Sequence, residues 1–394
     1  MTRGLLKQLA GETRKLERAG LYKQEVLLSP DDESRGQPDS GGRIHFMAQD
    51  YLALSRRSEV REAAVKAMEI HGNGLFSSRA FGGTRSAHKE LENALSDFLE
   101  VPEAILFGTG YLANIGFFDT LFDSRDCVLC DAWIHPSLAE GVRLSGARAF
   151  PYRNSDIGDL EDKLKRSRAA RYRAIVTDGV FPLDGNIAPL QEICQLADKY
   201  DALVVIDDSL GVGVMGARGK GTREYRQVME RVDVVTGSFS DVLGGAAGGY
   251  VAGREEIVTW LRQKSTPYLF SSALPPAAVG AAATSLQLLA QGRLSVQALH
   301  QQVATLKRGL VEKQFRVLGG EHPILTVVVG DAITLQKMVN ALSELGIDVQ
   351  GLCYPVVPEQ EARIQLQVSV LHTDDQIDRA INGFDKARRH LDRP

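Results

Sequence analysis

Short apolar runs at residues 104–107, 127–130, 147–152, 174–177, 202–206, 232–237 and 249–252 recur through the middle of this chain. Between several of them lie amphipathic stretches. In 189–200, for instance, Leu190, Ile193, Leu196 and Ala197 return at helical spacing. Runs this short, apolar throughout rather than alternating, suit strands covered on both faces. Strand and helix in alternation therefore predict an α/β fold around a mostly parallel central sheet. After Pro275-Pro276 the texture changes. Residues 277–315 carry one long helical pattern, and the remainder mixes the apolar run Ile324-Leu-Thr-Val-Val-Val with helical segments at 333–345 and 374–391. The chain divides into an arm at 1–43, a large α/β domain at 44–276, and a linking helix with a small α+β domain at 277–394. The arm reads as an amphipathic helix followed by a polar loop.

Length and composition exclude several classes. A chain of 394 residues, 44% hydrophobic, can bury a large core plus a second lobe. Its net charge of -4, with Lys and Arg dispersed, leaves no electrostatic footprint for nucleic acid. It has no run of about 18 apolar residues, so no membrane span is expected. The N-terminus lacks the apolar region and small-residue cleavage site of a signal peptide, which predicts a cytoplasmic protein. Cys127 and Cys130 form a Cys-x-x-Cys, but no second pair stands at metal-site spacing. The local pattern is a buried strand with the two thiols in the core.

Gly211-Val-Gly-Val-Met-Gly216 satisfies the spacing of a dinucleotide-binding loop. That motif works only where a helix opens on the glycines and turns its amides to a pyrophosphate. Here Ala217-Arg-Gly-Lys-Gly-Thr follows, which reads as loop, so the glycines are expected to permit close backbone turns instead.

A set of segments in fixed order is more specific: Tyr51-Leu-Ala-Leu, His71-Gly-Asn-Gly, Gly83-Thr-Arg-Ser-Ala-His-Lys-Glu-Leu-Glu92, Thr177-Asp-Gly-Val-Phe-Pro-Leu-Asp-Gly185, Asp207-Asp-Ser209, Val235-Thr-Gly-Ser-Phe-Ser-Asp241 with Val-Leu-Gly-Gly after it, and Pro355-Val-Val-Pro. Together they span most of the chain and resemble the α-oxoamine synthases, nearest the 2-amino-3-ketobutyrate CoA ligase branch. The resemblance implies a fold-type-I transferase of the aspartate aminotransferase type, assembled as a homodimer. It also implies condensation of an amino acid with an acyl-CoA on pyridoxal phosphate, with the arm lying on the partner subunit.

The resemblance also assigns positions. Asp207 matches the residue that pairs with the cofactor's pyridinium nitrogen, and His135 the histidine that stacks on its ring. Gly110 and Tyr111 match the opening of the helix whose amides hold the phosphate. Ser238 matches a phosphate-binding hydroxyl, as does Ser272, the latter reaching in from the neighbouring subunit. Gln49, Arg79 and Gln365 fall at substrate positions.

The departures from the pattern are chemical. Asp241 stands where the family has its Schiff-base lysine, and a carboxylate forms no imine. Leu210 replaces a histidine that binds the cofactor's phenolic oxygen, Pro182 a serine, and Gln49 an asparagine. Gln365 replaces the arginine that clamps the amino-acid carboxylate, without its charge or its fork. Lys220 and Lys264, the nearest lysines in sequence, read as solvated. No covalently bound cofactor is therefore expected, while noncovalent pyridoxal or pyridoxamine phosphate needs no lysine. Two functions follow. One is an acyltransferase that takes an acyl-CoA or acyl carrier protein without an aldimine, with His135 or Asp241 as general base, Asp207 and Asp208 beside them, and Ser238, Ser240 and Ser272 lining the vacated pocket. The other is a noncatalytic subunit that partners an active paralogue in a heterodimer.

Overall fold

The structure is a computed structural model that describes residues 2–18, 22, 42–244 and 247–391. Two compact units divide the chain at Arg35. In the first, Thr2–Arg18 is helical and leaves Leu5, Leu9 and Leu16 exposed along one side. The rest of the sequence-predicted polar loop lies outside the described residues, apart from residue 22 and the stretch from 42.

In the second unit, every apolar run of the middle region is a strand. Their spatial order is Glu103–Phe107, Gly249–Gly253, Val234–Ser238, Leu203–Asp207, Arg173–Asp178, Cys127–Asp131, Arg148–Tyr152. All pairings are parallel except those made by Gly249–Gly253, which runs against both neighbours. Side chains alternate between two packed layers. Cys127 and Leu129 join one buried cluster, Val128 and Cys130 the other. The two thiols thus point to opposite faces of the sheet, where burial pushes Cys127 up to about 11 and Cys130 up to about 12. Thiols this reluctant to ionise are poor nucleophiles and ligands. Among the described residues no cluster suited to a metal occurs, and no helix is long and apolar enough to cross a membrane.

The long helix expected at 277–315 is two helices, Pro276–Ala290 and Val296–Glu312. Gly292 takes φ +64 and ends the first, and the Ser295 hydroxyl caps the second by accepting from Ala298 N. The apolar pattern runs through the break because both helices pack on the same core. Beyond them a four-stranded sheet, including Ile324–Gly330 and Ala362–Gln367, carries the helices Ala332–Glu344 and Asp374–Leu391.

Parallel strands deliver their C-terminal residues to one edge. Asp131, Asp178, Asp207 and Ser238 end four neighbouring strands, and Asp178 pairs with Asp207 directly across the ladder. Like charges in that relation repel, so the edge is strained electrostatically before any ligand arrives.

Candidate active site

A cavity of about 380 Å³ opens at this edge. Gln49, Gly110, Tyr111, His135, Asp207, Ser238 and Asp241 line it, as the sequence predicts, and so do Pro182 and Leu210. Asp178, Ser137, Thr109 and Ser240 line it too. Among the described residues the lining includes three carboxyl side chains and no lysine or arginine.

One wall is a continuous hydrogen-bond network. Asp207 Oδ1 accepts from Ser209 N at 3.0 Å and Ser209 Oγ at 2.6 Å, and its Oδ2 accepts from Asn114 Nδ2 at 2.7 Å. The same Asn114 amide donates to Ser137 Oγ at 2.8 Å. Ser137 in turn meets His135 Nδ1 through its hydroxyl at 2.6 Å and its backbone N–H at 3.2 Å. Nδ1 is thereby the acceptor, which leaves Nε2 as the ring atom free for a ligand. His135 N donates to Asp178 Oδ2 at 2.9 Å. Burial and the charge of Asp207 push the Asp178 carboxyl well above the usual range. His135 caps the helix Pro136–Ser145, and the proline after it suits the first helical turn.

Asp208 does not line the cavity. It is fully buried behind Asp207, accepting from Thr222 N at 2.8 Å and Thr222 Oγ1 at 2.9 Å, and burial pushes it up to about 6. The backbone wraps it closely. A methyl group at Gly211 would lie 2.0 Å from Asp208 Oδ1, and one at Gly179 would lie 2.3 Å away. This is the physical reason for the first glycine of the Gly211-Val-Gly motif. No helix opens on those glycines, and Val212 instead bridges to Lys220.

Outside that network the lining includes Asp241, Leu210 and Pro182. Burial raises the Asp241 carboxyl above its ordinary value, partly offset by a hydrogen bond from Ser238, while Asp207 pushes it further up and His135 draws it down. Ser238 Oγ stands 2.5 Å from Ser240 Oγ and accepts from Ser240 N at 3.0 Å. At the cavity's end Thr109 caps the helix Gly110–Leu121, accepting from Leu112 N at 3.1 Å, so the first turn of that helix borders the cavity.

Other predicted site residues stand elsewhere. Gln365 is buried below the cavity, where Nε2 donates to the Pro182 carbonyl at 2.7 Å and Oε1 accepts from Gln367 at 3.3 Å. Arg79 is buried in an ion pair with Glu92 at 2.6 Å, and Ser272 does not line this chain's cavity. Lys220 corrects the reading of a solvated side chain: it is 8% exposed and paired with Glu100, because the glycine loop folds back under it. Lys264 is exposed, its ammonium 5.7 Å over the Trp260 ring. Sequence reasoning missed Asn114, Ser137 and Asp178. Asp178 stood in a quoted segment without a role, and Asn114 lies on a helix with nothing local to mark it.

A pyridoxal phosphate can be tested against these residues. Asp207, the first turn of Gly110–Leu121 and Ser238 suit a pyridinium nitrogen and a phosphate. A covalent aldimine does not fit, since among the described residues no lysine lines the cavity.

The chain matches the Aminotransferase class I and II family over residues 43–384. It is 42% identical over 388 residues to the 2-amino-3-ketobutyrate coenzyme A ligase of Salmonella typhimurium, covering 98% of each chain. It is 34% identical over 377 residues to the 8-amino-7-oxononanoate synthase of Thermoanaerobacter pseudethanolicus, covering 95% of each. A solved structure of serine palmitoyltransferase from S. paucimobilis, with a bound PLP–myriocin aldimine, superposes with TM-score 0.88 at 28% identity over 98% of each chain.

Proposed function

Since this chain belongs to the α-oxoamine synthases within the class I and II aminotransferases, we propose that it is an acyltransferase that takes an acyl thioester but forms no cofactor aldimine. The observation that supports this reading is that Asp241 lines the cavity, where the sequence resemblance implies a lysine, and that among the described residues no lysine lines it. Without a lysine the protein forms no imine of its own with the cofactor and has no lysine amine to shuttle protons at a substrate's α-carbon. What the residues can still do is position a nucleophile and move its proton. Asp241 offers a general base, and His135, whose Nδ1 accepts from Ser137 N and whose Nε2 therefore carries the ring hydrogen, offers a donor to the oxygen that gains charge. The thioester donor comes from the relatives, whose name includes coenzyme A. A thioester needs no metal or cofactor to be attacked, because the thiolate is a good leaving group. Assembly as a homodimer is part of the proposal, the arm helix and Ser272 serving the neighbouring copy.

Thiol release from acetyl-CoA tests the reading, measured with and without added pyridoxal phosphate and glycine. Release that is indifferent to both additions, and reduced at least tenfold in His135→Ala, supports it. Release that requires both would return the chain to its relatives' chemistry. A protein that releases no thiol alone, yet raises the activity of an active paralogue on mixing, would establish the noncatalytic subunit instead.

A further inference from the structure

The geometry points to a primary amine, carried as its ammonium and seated against Asp241, as the acyl acceptor. The inference rests on the acyl-transfer reading above and names its second substrate. Three observations lead to it. The cavity is lined by Asp178, Asp207 and Asp241, and among the described residues no lysine or arginine lines it, so its carboxyl side, away from the helix Gly110–Leu121, favours a cation. Its surroundings also hold buried acceptors that nothing satisfies. The Tyr51 hydroxyl is fully buried, has no hydrogen-bond partner, and lies close enough to Asp241 to sense its charge. Asn114 Oδ1, on the amide that bridges Asp207 and Ser137, is likewise buried without a partner. Orphaned acceptors beside carboxyls call for a donor-rich cation, and an ammonium brings three N–H donors and no acceptor. Finally, Gln365 spends its amide on Pro182 and Gln367 and so offers no clamp for an α-carboxylate. The acceptor therefore needs an amine but no amino-acid carboxylate.

The chemistry balances without a cofactor. The ammonium gives one proton to Asp241 and becomes a free amine. The nitrogen lone pair forms the C–N bond at the thioester carbonyl, the C–S bond breaks, and the thiolate leaves with its electron pair. The stored proton goes to that thiolate, and the amide nitrogen sheds its second proton to solvent. The products are an amide, a thiol and one proton.

The groups that face Asp241 are Ser238 from its own loop, Asp207 from the adjacent strand end, His135 from the cap of Pro136–Ser145, and Tyr51 from the segment before the helix Ser58–His71. Burial holds the Asp241 carboxyl protonated into a higher pH range than usual, so seating an ammonium must release its proton. Amine affinity should thus rise with pH through that titration.

The experiment is calorimetric titration of the full chain with benzylamine, benzyl alcohol and benzoate, which match in shape and differ in charge. The expected result is benzylamine binding at least tenfold tighter than benzyl alcohol, tighter at pH 8 than at pH 5, with proton release and no measurable binding of benzoate. Asp241→Asn, verified as folded by its thermal transition, should erase the preference for the amine. Benzoate binding as well as benzylamine, or an unchanged preference in Asp241→Asn, would overturn the inference. A parallel assay with acetyl-CoA keeps the two readings apart. Thiol release that benzylamine does not accelerate overturns the amine acceptor and leaves acyl transfer standing. Asp241-dependent amine binding without any thiol release overturns acyl transfer and leaves the ammonium site.

Discussion

On one wall of the cavity Asp207, Asn114, Ser137, His135 and Asp178 are joined by side-chain and backbone hydrogen bonds of 2.6 to 3.2 Å. Outside that network, Asp241 is held by one serine, while Leu210 and Pro182 offer the cavity no side-chain polar group at all. Leu210 and Pro182 can be replaced without unmaking a side-chain network. A network member removed leaves its partners buried and unpaired, whereas a side chain that meets mainly the ligand answers only to the ligand.

The largest effect that separates the two parts of the lining should come from Gly211→Ala. Its methyl would meet Asp208 Oδ1 at 2.0 Å against a backbone that is itself packed, and about 3 kcal/mol of stability should be lost, read from urea unfolding. A loss under 0.5 kcal/mol would mean that the wall behind Asp207 is slack (roughly the surface range). Next comes Asn114→Ala, which leaves Asp207 Oδ2 without its amide donor and takes one of the two partners of Ser137 Oγ, and should cost about 2 kcal/mol. If the variant is as stable as the parent, the network is ornament.

Asp241→Asn should act in the opposite direction, and only above a certain pH. The folded state raises this carboxyl's pKa, so between the unfolded and folded values the folded chain binds more protons, and stability falls as pH rises through that window. Removing the acid removes the penalty. The variant should melt higher than the parent at pH 8 and indistinguishably at pH 4, and a lower melting temperature at pH 8 would break the contrast between the two parts. The smallest effect belongs to Pro182→Ser. The Pro182 backbone carbonyl keeps its bond from Gln365, and the change should stay within about 0.5 kcal/mol.

The fold was legible because strand and helix signals here are local: each of the seven apolar runs is a strand, while the break at Gly292 and Ser295 escaped, since both helices share one apolar face, and so did the strands Val317–Gly319, Gln350–Leu352 and Ala362–Gln367. Site positions carried by the fixed motifs, His135, Asp207, Ser238 and Asp241 among them, meet in one cavity. The rest was not legible because it depends on pairs far apart in the chain. Asn114 meets Asp207 across 93 residues, Gln365 meets Pro182 across 183, and Lys220 finds Glu100 across 120. Nor does a sequence record how deeply a carboxyl is buried, which is what sets Asp178 and Asp208 apart from an ordinary aspartate.

The central claim is that residue 241 decides whether this cavity can hold an aldehyde cofactor covalently. The direct test is borohydride reduction of the parent and of Asp241→Lys after incubation with pyridoxal phosphate, followed by peptide mass spectrometry. The account predicts no reduced adduct in the parent, and in the variant an adduct on residue 241 with aldimine absorbance. A reduced adduct in the parent on any lysine that aldimine absorbance places in the cavity would contradict it.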